Sequence, residues 1–221
     1  MLASVTNVEE ALMALNAGVE MVDLKNPVAG ALGALEHAVV EAIVKSIDAR
    51  ATVSATIGDL PMDPALILDA SKAMLASGVD VVKIGFFGNE FHQTCLNTLA
   101  PLAKEGCKLI AVMFADENPD IQLLAPIAQA GFYGVMLDTA HKNGNHLLTH
   151  MSLQALADFV QTATALGLQT GLAGSLQAAH IHDLSNIGPS YLGFRGALCA
   201  DSERTSKLVP EKMNSIKSLL N

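Results

Sequence analysis

An alternation of short apolar runs with Ala- and Leu-rich helical stretches predicts an α/β fold, a compact (β/α)8 TIM barrel forming a single domain over residues 1–221. Three observations carry this expectation. The apolar runs number eight, nearly every one is followed by a helical segment, and no linker, low-complexity stretch or charge block marks a second domain. A doubly wound open sheet is the alternative reading of the same alternation.

The runs are "LASV" at 2–5, "MVDLK" at 21–25, "ATVSATI" at 51–57, "VVKIGFF" at 81–87, "KLIAVMF" at 108–114, "GVMLDTA" at 134–140, "QTGLAGS" at 169–175 and "YLGFRGAL" at 191–198. Each is short and rich in β-branched or other apolar residues, as strands buried on both faces require. Between them lie "NVEEALMALNAG", "DPALILDASKAMLASG", "FHQTCLNTLAPLAKEG" and "SLQALADFVQTATALG", which end in a glycine suited to a left-handed helix terminus. "PEKMNSIKSLL" near the end supplies the eighth helix.

Hydrophobic residues make up 51% of the chain, yet no run approaches the roughly 18 apolar residues of a membrane span. The excess is therefore expected in a core, and apolar content this high is compatible with a homo-oligomer that hides some of it between subunits. A net charge of −9, with thirteen Lys plus Arg dispersed along the chain, argues against nucleic acid or an anionic membrane as partner. The opening "MLASVTNVEEALMAL" has no basic segment ahead of its apolar residues, so no secretory signal is read and a cytoplasmic location is expected. Cys95, Cys107 and Cys199 are odd in number and lack zinc-type spacing, so they read as reduced thiols.

Charged residues inside apolar strands point to function. Asp23 and Lys25 share one face of the second strand, Lys83 lies in the fourth, Asp138 closes the sixth and Arg195 sits in the eighth. All are even-numbered strands, and a barrel draws each interior layer from alternate strands. Lys25 and Lys83 can lower each other's pKa and so keep an amine available as a nucleophile towards a carbonyl, while Asp23 and Asp138 balance charge and move protons. The structural alternative is two buried Lys–Asp pairs that only fix register.

A second constellation falls at the ends of strands seven and eight, where barrels commonly hold phosphate. Gly171, Ala173, Gly174 and Ser175 in "GLAGSLQ", and Gly193, Arg195 and Gly196 in "GFRGAL", form a candidate anion site of backbone N–H groups, a hydroxyl and a guanidinium fork. Ordinary turn glycines with a surface arginine are the alternative. Ser54 and Thr56 share a face just ahead of "TIGDLP", where Gly58 and Asp59 are expected to turn the chain over the barrel mouth. His180 and His182 lack the i, i+4 spacing of a helical metal pair, and His146 and His150 have it but no third ligand, so both pairs are read as ordinary histidines rather than metal ligands.

Taken together, "DLKNP", "VSATIGDLP", "VKIGFFG", "MLDTAHKNG", "GLAGSL" and "YLGFRGALC" resemble the motif series of the (5-formylfuran-3-yl)methyl phosphate synthases, also called 4-(hydroxymethyl)-2-furancarboxaldehyde-phosphate synthases. The match runs in order from about residue 2 to residue 199. The resemblance implies an aldolase-like barrel that condenses two molecules of glyceraldehyde 3-phosphate into the furan of methanofuran, a part of one-carbon metabolism, without metal or organic cofactor. It implies that Lys25 forms a Schiff base, that Lys83 accepts protons, and that Asp138, Lys142 and Asp23 are further acids and bases. A Schiff-base aldolase acting on another sugar phosphate, and a non-catalytic sensor of a phosphorylated ligand, remain as rival readings of the residues.

Overall fold

The computed structural model describes residues 1–88, 90–141 and 144–220. Eight strands, β1 (Leu2–Val5), β2 (Met21–Leu24), β3 (Thr52–Thr56), β4 (Val81–Gly85), β5 (Lys108–Phe114), β6 (Gly134–Asp138), β7 (Gln169–Leu172) and β8 (Tyr191–Phe194), pair in parallel and in sequence order. Pairing of β8 with β1, Leu2 opposite Gly193 and Ala3 opposite Phe194, closes the sheet into a barrel. The open-sheet alternative is thereby excluded.

Helices α1 (Val8–Asn16), α2 (His37–Ile47), α3 (Pro64–Ala76), α4 (His92–Lys104), α5 (Leu124–Gln129), α6 (Leu147–His150), α7 (Leu153–Ala165), α8 (Ile181–Asn186) and α9 (Pro210–Ser218) occupy the connections. Their starts follow local chemistry. Asn7 accepts from the Glu10 N–H at 2.9 Å, Asp63 accepts from Ala65 and Leu66 with Pro64 at the first helical position, and Ser152 accepts from Ala155 at 3.2 Å. Gly18, Gly78, Gly106 and Gly167 follow four of these helices with φ between +70° and +97°, the left-handed exit the sequence predicts.

The main difference from expectation lies at the C-terminal strand ends. Lys25, Thr139, Ala140, residues 173–175 and Arg195 leave the ladder for loops, and Gly196–Leu198 turn into a short 3-10 helix. Gly174 and Ser175 show why in one case: φ values of +105° and +52° cannot continue a strand. Arg195 accordingly lies just beyond β8, not within it.

Two cores follow from strand alternation. An outer one fills the space between sheet and helices, and an inner one fills the barrel with Val81, Ile110, Val112, Phe114 and Met136, joined by Leu32 and Ala173. Among the described residues Lys83 is one of the largest side chains with no solvent exposure, and the charged one in that group. No helix among the described residues is long and apolar enough to cross a membrane.

Candidate active site

Strand register brings the buried polar groups together. Ser4 of β1, Asp23 of β2 and Ser54 of β3 stand side by side across the ladder, all facing the barrel axis. Asp23 has no solvent exposure, and its carboxylate accepts from Ser4 Oγ at 2.9 Å, Ser54 Oγ at 2.6 Å and Lys83 Nζ at 3.0 Å. One layer closer to the mouth, Lys25 Nζ lies 3.4 Å from Asp138 Oδ2, and Asp138 Oδ1 accepts from the Thr139 N–H at 2.7 Å.

The electrostatics follow from this arrangement. Burial alone would raise the Asp23 carboxyl, but the charges of Lys83 and Lys25 and the Ser54 hydrogen bond outweigh it and hold Asp23 below the usual carboxylate range. Burial lowers the Lys83 ammonium; Asp23 and Asp138 oppose that shift and the Lys25 charge adds to it, so the net displacement is downward. Lys83 thus gives up its proton more readily than a solvated lysine does.

Above these pairs opens a cavity of about 310 Å3, lined by Lys25, Lys83 and Asp138 on one side and by the loops after β7 and β8 on the other. This is the size of a small-ligand site at the C-terminal face of a barrel. Ala173, Gly174, Ser175, Gly193, Arg195 and Gly196 all border it. Among the described residues, no acceptor meets the backbone N–H groups of Gly174 and Ser175.

Several expected residues are redirected. The Ser54 hydroxyl is spent on Asp23, and Thr56 donates to the Gly33 carbonyl at 3.0 Å; both residues are fully buried, below the cavity wall. Gly171 serves packing: a Cβ there would sit 2.4–2.6 Å from the ring of Tyr191, which fills the barrel beneath the site. Arg195 lines the cavity, but all five of its N–H donors are committed. Nε donates to the Arg204 carbonyl at 2.8 Å; Nη1 to Glu10 Oε2 at 2.6 Å and the Ser4 carbonyl at 3.1 Å; Nη2 to Glu10 Oε1 at 3.2 Å and the Ser206 carbonyl at 3.0 Å. A guanidinium so engaged has no fork left for phosphate. Lys142 lies outside the described residues.

Other contacts were not foreseen from the sequence. Ser4 and Glu10 act at separations of 19 and 185 residues from their partners Asp23 and Arg195, beyond the reach of local pattern. Asp59, expected only to turn the chain, accepts from Ala31 and Leu32 N–H at 2.7 and 2.6 Å and so fixes the loop that follows Lys25. Asp116 does the same for the loop after β6, accepting from Ala140 and His141 N–H at 2.8 Å each. His146 and His180, treated separately in sequence, bring their rings to 4.3 Å between centroids, and His146 borders the cavity.

The model of the 4-HFC-P synthase family matches residues 1–217. This chain belongs to that family. A (5-formylfuran-3-yl)methyl phosphate synthase of Methanocaldococcus jannaschii is 34% identical over 99% of this chain and 98% of its own. A Methylorubrum extorquens protein that carries the same synthase name provisionally is 40% identical, covering 94% of this chain and 86% of its own. Among solved structures, phosphoribosyl anthranilate isomerase from Thermus thermophilus superposes with a TM-score of 0.70 at 14% identity, over 99% and 97% of the two chains, and speaks for the fold alone. The chain is therefore an enzyme of that family, and its charged cluster lies at the C-terminal ends of the barrel strands, the face where such barrels bind ligands.

Proposed function

We propose that this synthase joins two molecules of glyceraldehyde 3-phosphate into (5-formylfuran-3-yl)methyl phosphate, releasing one phosphate and two waters, and so supplies the furan of methanofuran. The observation that carries this reading is the position of Lys25: its amine borders the cavity 3.4 Å from Asp138, with Lys83 buried beneath it against Asp23. A lysine so placed can attack an aldehyde once neutral, and Asp138 beside it is suited to give the carbinolamine hydroxyl the proton with which it leaves as water.

The imine makes the adjacent C–H acidic. Removing that proton gives the enamine that attacks the second aldehyde, and a base of lowered proton affinity suits the transfer. Lys83 has that character, with Asp23 as the counter-charge that steadies it between proton states. Later eliminations of water and phosphate reuse the same acids and bases, with Lys142 assigned to them by the family motif. Backbone N–H groups of Gly174 and Ser175 are suited to the retained phosphate.

The test is incubation of purified protein with glyceraldehyde 3-phosphate as sole substrate, followed by mass spectrometry. The furan aldehyde phosphate, with one equivalent of inorganic phosphate, is expected. An open-chain sugar phosphate would point instead to a simple aldolase, and no product at all to a ligand sensor.

A further inference from the structure

With Arg195 committed to Glu10 and to three carbonyls, the cavity's negative ligand needs another cation. The charged groups of the wall can be paired off. Lys25 pairs with Asp138, Lys83 with Asp23 and Arg195 with Glu10. Arg204 has no carboxylate within ion-pair distance among the described residues, although it lines the same cavity.

Arg204 is also held in place. One nitrogen, Nη2, donates to the Gly30 carbonyl at 2.7 Å and to the Pro27 carbonyl, two residues beyond Lys25. Its own carbonyl accepts from Arg195 Nε at 2.8 Å. The remaining three N–H donors, on Nε and Nη1, meet no acceptor among the described residues. Asp138 and Asp59 attract its charge from across the cavity and from the β3 loop, Arg195 repels it, and Glu203 stands beside it on the rim.

We propose that Arg204 is the arginine that binds a phosphate group of the substrate, anchored through Nη2 to the loop that carries Lys25 and offering its other N–H groups to the anion. This rests on the reading above that the substrate is a phosphorylated aldehyde. A guanidinium can offer two parallel donors to a phosphate, and its tether to Pro27 and Gly30 fixes the span between the anion and the Lys25 amine. Arg204 thus sets the enzyme's preference for short aldehydes that carry a phosphate.

The experiment compares wild type, Arg204→Gln and Arg204→Lys, each checked for folding by thermal denaturation. Binding of inorganic phosphate is measured by calorimetry, and borohydride capture is measured with glyceraldehyde 3-phosphate and with unphosphorylated glyceraldehyde. Arg204→Gln is expected to weaken phosphate binding by about tenfold or more and to slow capture of the phosphorylated aldehyde alone. Arg204→Lys, which keeps the charge but loses the fork, should fall between, and it decides the matter if the glutamine variant does not fold. Unchanged phosphate affinity in the variants, no phosphate binding by wild type, or equal loss of capture for both aldehydes would overturn the assignment. If wild type binds phosphate through Arg204 yet makes no furan product, the proposed reaction fails and the arginine's role stands.

Discussion

Lys83 Nζ and Asp23 Oδ1 meet at 3.0 Å with neither side chain exposed to solvent. Removing one partner strands the other charge in the barrel, a change that costs about 3–5 kcal/mol. Asp23→Ala should therefore lower the melting temperature by about 10 °C, while the double variant Asp23→Leu, Lys83→Met regains much of that loss. Activity should be absent from both. Melting curves paired with product assays check this; full activity in the double variant would make the pair purely structural.

Glu10 ties helix α1 to the segment after β8 by charge. Burial raises its carboxyl, but hydrogen bonding and attraction from Arg195, with Thr6 adding to them, bring it below the ordinary 4.5. A carboxyl depressed on folding contributes stability above its unfolded pKa and loses it as pH falls through the folded value. Stability should thus decline as pH drops below about 4.5. Glu10→Gln should cost about 1.5–3 kcal/mol at pH 7 and show a shallower decline in acid, measured by urea titration at a series of pH values.

Asp116 tests whether the loop after β6 needs fixing. Burial raises its carboxyl and the N–H groups of His141 and Ala140 more than offset this, so Asp116 stays ionised. Asp116→Asn replaces one acceptor oxygen with a donor facing an N–H. Turnover should fall about tenfold or more through misplacement of the loop, with a loss of about 1–3 kcal/mol in stability from the N–H left without an acceptor. Steady-state kinetics with wild-type kcat would contradict that role.

Gly171→Ala should destabilise by overpacking. The added methyl meets the Tyr191 ring at 2.4–2.6 Å, and overpacking of this kind costs about 1–3 kcal/mol. Tyr191→Leu in the same chain should relieve it, as a double-mutant cycle in denaturant would reveal.

Much of the fold was legible because strands buried on both faces leave continuous apolar runs, and β1 and β5 coincide with the runs read at 2–5 and 108–114. The strand ends were read too long because Gly174 and Ser175 look like strand neighbours in sequence and reveal their left-handed φ only in three dimensions. The convergence of Asp23, Lys25, Lys83 and Asp138 was visible from alternation alone, since a charge on the inner face of a barrel strand has few places to go. The engagement of Arg195 was beyond the sequence. Arg195 has the better-looking motif, yet Glu10, 185 residues away, claims its guanidinium, while Arg204 sits in an unremarkable loop.

The central claim is that Lys25 is the nucleophile, and borohydride reduction in the presence of glyceraldehyde 3-phosphate, followed by peptide mapping, tests it most directly. The expected result is a stable triose phosphate adduct on the peptide containing Lys25, absent from Lys25→Arg because a guanidinium does not form the imine, and still formed by Lys83→Arg despite its lost turnover. An adduct on another lysine, or a Lys25→Arg variant that turns over at the wild-type rate, would contradict the account.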